Sequence, residues 1–235
     1  MQFILEKRSD VVRPPVASEL TALRALDQKE KQHMAPRFIA RQLSHPKGLL
    51  GRMMGLLMNR HNAQMNAFAV RQLNVQPGDR ILEIGFGGGL TLPRLLEMPL
   101  CVTGIDRSQQ MVRQASAKFR RSIQNGRADF RVGTVEALPF QAANFSNVIT
   151  VNTVYFWTSL GAGCSEIHRV LAPGGRAIIG FLPKEYMAPM NMPVDIFTLR
   201  AVDEVRTALH HAGFSGTSVE RPSLSTKWNV IVATR

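Results

Sequence analysis

The stretch Arg80-Ile-Leu-Glu-Ile-Gly-Phe-Gly-Gly-Gly-Leu90 constrains this chain more than any other. It reads as a short apolar strand that runs into a turn with four glycines and then into a helix. Glycine has no Cβ, so Gly85 and Gly87 can take positive φ and let a ligand lie against bare main chain. A dinucleotide fingerprint beginning at Gly85 needs glycine at position 90, where Leu90 stands. That weakens a nicotinamide reading. The N-terminus of the following helix still suits a small anionic group, and Glu83 lies where it can face an ammonium group.

The next apolar run, Cys101-Val-Thr-Gly-Ile-Asp106, ends in a carboxylate 21 residues after Gly85. At that spacing an acidic residue reaches ribose hydroxyls in a doubly wound fold. The competing reading of Asp106 is a helix N-cap, a role for which Ser108 is also suited.

The turn signal Pro77-Gly78-Asp79 divides two textures. Beyond it, short apolar runs alternate with amphipathic segments of helical length, the pattern of a parallel sheet flanked by helices. The expectation is an α/β fold with a Rossmann-like, mostly parallel seven-stranded sheet. Strands are predicted near 80–85, 101–106, 128–133, 146–152, 175–182, 214–221 and 227–234, and helices near 88–97, 108–122, 160–171 and 201–212. Upstream, Ser18 is suited to cap a helix through Lys31. Residues from Gly48 to Val70 read as one or two helices rich in Leu and Met. The expected organisation is an N-terminal helical lid over 1–72 and a main domain over 73–235, with a substrate-side insertion at 182–199.

Four motifs in order resemble the class I S-adenosylmethionine (SAM)-dependent methyltransferases, above all the small-molecule enzymes of the ubiquinone-biosynthesis type. They are LEIGFGGG, GIDRSQQM, Gly133-Thr-Val-Glu-Ala-Leu-Pro-Phe140 and EIHRVLAPGG, within about Val75 to Leu182. The resemblance implies SAM as cofactor. It implies cofactor-binding roles for Glu83, Gly85, Gly87, Asp106, Arg107, Met111, Thr134, Val135, Glu136 and Asn152. The family usually carries an acidic residue where Thr134 stands, so here the adenine contact falls to the Thr134 hydroxyl and the Val135 amide. Glu136 is expected to cap local structure, and Leu138 is a candidate adenine neighbour.

The segment Thr150-Val-Asn-Thr-Val-Tyr-Phe-Trp157 follows the fourth strand, where the resemblance puts the methyl group beside its acceptor. Aromatic faces attract a sulfonium by cation–π contact. Asn152, Tyr155 and Trp157 are therefore catalytic candidates; packing in the core is the alternative for the rings. In-line methyl transfer draws mainly on alignment and desolvation. An acceptor that loses a proton needs a base, for which Tyr186, Glu185 and a lid histidine are candidates. His168, His210 and His211 read as structural.

The net charge of +12 favours anionic partners. Residues 1–72 hold 12 lysines and arginines against 5 acidic residues, yet these are scattered and have few aromatics among them, which weighs against nucleic acid. A membrane-surface helix over 48–60 is a lesser alternative. The methionines of both the N-terminal helices and the 182–199 insertion suit an adaptable lid over the acceptor, or ordinary helix packing. Cys101 and Cys164 have no metal-ligand spacing and read as reduced thiols, so no metal is expected. No leader or bilayer-length apolar run is evident, so the expectation is a soluble, cytoplasmic protein, monomeric or homodimeric. Three functions follow: methyl transfer to a small molecule, breakdown or cyclisation of SAM without an external acceptor, or a non-catalytic SAM- or nucleic-acid-binding module.

Overall fold

The computed structural model describes residues 62–235. The expected N-terminal helix from Ser18, residues 48–61 and their Met53, Met54 and Met58 lie outside them. In chain order the elements are α1 (62–72), β1 (Arg80–Ile84), α2 (Leu92–Glu97), β2 (Cys101–Asp106), α3 (Gln109–Lys118), α4 (Arg120–Gln124), β3 (Ala128–Val132) and β4 (Phe145–Val151). There follow α5 (Leu160–Val170), β5 (Leu171–Phe181), α6 (Lys184–Met187), α7 (Val202–His211), β6 (Gly216–Glu220) and β7 (Asn229–Thr234).

The strands form one seven-stranded sheet in the order β3-β2-β1-β4-β5-β7-β6. The first five pair in parallel, and β7 runs antiparallel to both of its neighbours. Because helices cover both faces, the strands read as nearly continuous apolar runs rather than clean alternations. The two-residue period survives in the packing. Leu82, Ile84, Ala177, Ile179, Ile231 and Ala233 bury on the side of α5 and α7. Ile81, Ile178 and Val230 bury on the opposite side, with residues of α1, α2 and α3. Each fully buried Leu, Ile or Val among them contributes about 1.5–3 kcal/mol relative to exposure.

Three predicted elements differ at their ends for identifiable reasons. The helix expected from 88 begins at Leu92, because Gly87 and Gly89 have positive φ and Pro93 suits only a first helical turn. The helix expected over 108–122 divides at Phe119, whose backbone leaves the helical region at φ −105° and ψ 25°. Strand β5 starts at Leu171 rather than 175. Leu171 pairs with Phe145 ahead of an irregularity in the register, and Gly174 turns there with φ +74°.

The strand order reverses direction between β1 and β4, which lie side by side although β2 and β3 separate them in sequence. In open α/β sheets, ligands bind outside the carboxyl ends of the strands at such a point.

Candidate active site

One cleft opens at this point. It is lined by the glycine turn, the ends of β1, β2 and β4, the loop after β3, the loop after β4, and Asn62 and Asn66 of α1.

The glycine turn is fixed by its own amides. Gly85 N donates to Ile105 O at 2.7 Å, and Gly87 N donates to Asp106 Oδ2 at 2.8 Å. Gly85, Gly87 and Gly89 have φ of +70°, +49° and +68°, so three of the four glycines occupy conformations that side chains disfavour. A Cβ on Gly85 would collide with Thr153 Cγ2, so the turn also lies directly against the loop after β4. Between the glycines, Phe86 is buried and packs edge-on against Phe130 at 5.5 Å, which anchors the turn to β3.

Two carboxyl groups sit at the strand ends. Asp106 accepts from Gly87 N and, through Oδ1, from Ser108 N at 2.8 Å. These bonds orient the Asp106 carboxyl group at the edge of the cleft. Ser108, rather than Asp106, is the N-cap of α3 and accepts from Met111 N. Glu83 is buried, and its Oε1 accepts from the Thr91 hydroxyl. Among the described residues its Oε2 has no hydrogen-bond partner. Burial pushes the Glu83 carboxyl up to about 7; the Thr91 hydrogen bond opposes this, and the Asp106 charge adds to it. A buried carboxyl with one oxygen unsatisfied is the form expected of a group that meets a donor from a ligand.

The loop after β4 forms the facing wall. The hydroxyls of Thr150 and Thr153 lie 2.5 Å apart, Thr150 Oγ1 donates to Ile84 O at 2.9 Å, and Trp157 Nε1 donates to Thr153 Oγ1 at 3.1 Å. Thr150 has one proton and gives it to Ile84, so Thr153 donates to Thr150. The direction of the whole chain from indole to strand carbonyl is thereby set. It holds the buried Trp157 ring at the cleft, where Gly163 of α5 leaves room for its edge. Asn152 takes the left-handed conformation with φ +58°, one of the few non-glycine residues that tolerate it.

The loop after β3 is clamped from α5. Glu166 Oε2 accepts from Leu138 N at 2.8 Å, and Arg169 donates to Phe140 O at 2.7 Å, to Leu138 O at 3.0 Å and to both Glu166 oxygens. The Arg169 hydrogen bond is the main reason the Glu166 carboxyl lies below the usual range. Glu136 Oε1 accepts from Thr158 N at 2.7 Å and so ties the loop after β3 to the loop after β4 across the cleft.

Of the residues singled out in the sequence, Glu83, Gly85, Gly87, Asp106, Arg107, Met111, Thr134, Val135, Glu136, Asn152 and Trp157 all line the cleft. Tyr155 and Tyr186 do not. Tyr155 is buried in the core, where its hydroxyl accepts from Leu182 N at 2.5 Å and lies 3.2 Å from Asn152 Oδ1 and Leu182 O. Burial raises its phenol far above the ordinary tyrosine range. Tyr186 is exposed on α6, as is Glu185. Leu138 is buried beneath its loop, away from the cleft. Phe156, 4.7 Å from Phe197, lines the cleft alongside Trp157 and Phe86.

Two of the methionines singled out in the sequence pack in the core rather than on the cleft. Met65 is buried, with its sulfur 3.3 Å from the position of a Cβ on Gly180, and Met187 belongs to the core. Asn62 and Asn66, either side of Met65, line the cleft instead, with Asn66 Nδ2 donating to Asn62 O at 2.9 Å. Only their helical spacing from Met65 hints at this in the sequence. The roles of Thr91, Thr153 and Glu166 leave no sequence signal, because each depends on a partner from a different element.

A doubly wound sheet whose switch point carries a glycine turn and an acidic end to β2 defines a nucleoside-binding class of α/β protein. A methyltransferase-domain family matches residues 82–179. The chain is 34% identical over 137 residues to the uncharacterized methyltransferase YdaC of Bacillus subtilis, covering 56% of this chain and 71% of that one. It is 31% identical over 115 residues to the ubiquinone/menaquinone biosynthesis C-methyltransferase UbiE of Geotalea daltonii, covering 48% of this chain and 49% of that protein. The chain thus spans about half the length of the latter relative. Phosphoethanolamine N-methyltransferase 2 of Haemonchus contortus, solved with S-adenosyl-L-methionine, shares the fold, with a TM-score of 0.61 and 18% identity over 73% of this chain and 52% of that one. The chain belongs to the class I SAM-dependent methyltransferase family. It is a methyltransferase whose cofactor is SAM.

Proposed function

We propose that this chain transfers the methyl group of SAM to a small-molecule acceptor held between the loop after β4 and α1. The carrying observation is that the buried Glu83, with Oε2 unpartnered, and the backbone-oriented Asp106 share one cleft with a bare glycine turn. These residues fit the cofactor. Glu83 would receive its ammonium, Asp106 its ribose hydroxyls, and the turn would lie against its amino-acid part. Thr134 and the Val135 amide would meet the adenine ring, with Arg107, Met111 and Glu136 lining that end.

Bound SAM supplies an electrophilic methyl group on a sulfonium. The residues around it supply alignment and exclusion of water, the two effects such a displacement draws on most. Phe156 and Trp157 present rings at the reacting end, where a sulfonium is favoured by aromatic faces. Asn62, Asn66 and Asn152 line the cleft with carboxamides, which donate and accept without charge and suit a polar, uncharged acceptor. Tyr186 and Glu185, being exposed on α6 and away from the cleft, receive no part in the reaction. A cytoplasmic setting belongs to this reading, supported by free thiols at the exposed Cys101 and the buried Cys164.

Titration calorimetry with SAM tests the cofactor site, and the absence of binding at millimolar SAM would overturn the reading. Mass spectrometry after incubation with SAM and a panel of neutral phenols and hydroxyquinones tests transfer. Release of methylthioadenosine from SAM alone, with no S-adenosylhomocysteine, would instead support a SAM-consuming reaction.

A further inference from the structure

The positive charge of the described residues is gathered in one place. Residues 107–131 hold seven arginines and lysines against a single aspartate, while the other described residues balance, with eleven cations and eleven anions. The single aspartate, Asp129, is paired with Arg131 at 2.7 Å. Arg127 is turned inward to donate to Leu96 O at 2.7 Å and to Met98 O. The other five, Arg107, Arg113, Lys118, Arg120 and Arg121, are exposed. Among the described residues none of the five has a carboxylate within ion-pair distance.

These cations lie on consecutive elements: Arg107 at the end of β2, beside the cleft, Arg113 and Lys118 on α3, and Arg120 and Arg121 at the start of α4. Along α3, at 1.5 Å per residue, Arg113 and Lys118 stand about 7.5 Å apart. A cluster of like charges without counterions raises the energy of the isolated protein and is relieved by an anionic polymer. Four of the five are arginines, whose planar guanidinium matches phosphate oxygens in pairs. Among the described residues the exposed large apolar side chains are Val132, Tyr186, Met190, Val194 and Leu224, none of which lies on β2, α3 or α4.

We propose that the α3–α4 face docks a phosphodiester chain, that is, a nucleic acid held by its backbone without reading of its bases. The face flanks the β2 side of the cleft, whereas Asn62, Asn66 and the loop after β4 line the other side. The proposal is therefore independent of the identity of the methyl acceptor.

The test uses the full chain and a fluorescently labelled 20-nucleotide oligouridylate. Anisotropy is measured from 50 to 200 mM salt for the wild type and for the triple variant R113E/R120E/R121E. Single-strand binding weakens with salt at a log–log slope of about 0.7 per phosphate neutralised. The triple variant should bind at least tenfold more weakly at 50 mM salt, with the slope reduced by about 2. SAM affinity within twofold of wild type reports that the fold is retained, and R113Q/R120Q/R121Q provides the same test if the charge-reversed chain does not fold. Absence of wild-type binding at 50 mM salt, or equal affinity in wild type and variant, overturns the proposal. So does a triple variant that loses binding to vesicles containing 30% phosphatidylserine while its oligouridylate binding persists, which would assign the face to acidic lipid.

Discussion

Gly85 and Thr153 are packed against one another with no room for a Cβ between them, so the glycine turn and the loop after β4 share one point of contact. The two walls of the cleft are thereby coupled: a change that pushes this contact apart alters both.

Gly85→Ala combines this collision with a φ of +70°. The left-handed conformation alone costs an alanine about 1–2 kcal/mol, and the displaced loop adds to it. A fall in the unfolding free energy of more than about 2 kcal/mol and a loss of SAM affinity of at least tenfold are expected from denaturant titration and calorimetry. Adding Thr153→Ser, which deletes the colliding methyl and keeps the hydroxyl, should recover part of both. Gly78→Ala provides the control, since its φ is +87° but nothing lies within 4 Å of the added Cβ. It should cost stability and leave SAM binding unchanged.

Glu83 makes stability and cofactor affinity run in opposite directions with pH. Its folded pKa, about 7, lies above the unfolded value near 4.5. Its contribution to stability is therefore fully present below about pH 4.5 and is lost as pH rises through 7. The loss at pH 8 is on the order of 3 kcal/mol. An ammonium binds the ionised form, so SAM affinity should rise about tenfold from pH 6 to 7.5 and release a proton, visible as a buffer-dependent binding enthalpy. Glu83→Gln should stabilise the free protein at pH 8, weaken SAM binding and abolish this proton release. Persistence of the proton release in the variant would show that another group titrates.

Thr153→Val breaks the hydroxyl chain and leaves the buried Trp157 Nε1–H without an acceptor. An unmet buried donor costs about 1–3 kcal/mol. In a Trp228→Phe background, the remaining indole emission should shift and its quenching by acrylamide should increase. Thr153→Ser should behave as wild type, and an unchanged spectrum in the valine variant would remove the positioning role given to Thr153.

Arg169→Ala releases Leu138 O and Phe140 O together. A stability loss of about 1–3 kcal/mol is expected, with faster amide exchange over 134–140 and weaker SAM binding from the loosened adenine-side loop. Because Arg169 holds the Glu166 carboxyl below its usual range, the stability that Glu166 contributes is present above its unfolded pKa and disappears as pH falls. The wild type should lose more stability between pH 5 and pH 3 than Arg169→Ala does.

The sequence by itself determined the alternation of strands and helices, the glycine turn and the acidic end of β2. Those features are local: positive φ at Gly85 and Gly87 and the apolar run of β1 follow from the residues themselves. Helix ends shifted by a few residues at Pro93 and Phe119, and the start of β5 shifted near Gly174, where the chain was redirected. Which side chains face the cleft was decided only by tertiary structure. The ring-rich segment Tyr155-Phe-Trp157 looks uniform in sequence, yet the short 3₁₀ turn at Val154–Phe156 sends Tyr155 into the core and leaves Phe156 and Trp157 on the cleft. Asn66 of α1 reaches the same cleft because Met65 docks on Gly180 of β5, a contact between residues 115 positions apart. The unpartnered oxygen of Glu83 depends likewise on burial against Thr91 and Asp106, since a carboxyl becomes an unsatisfied group only when the fold removes water from it.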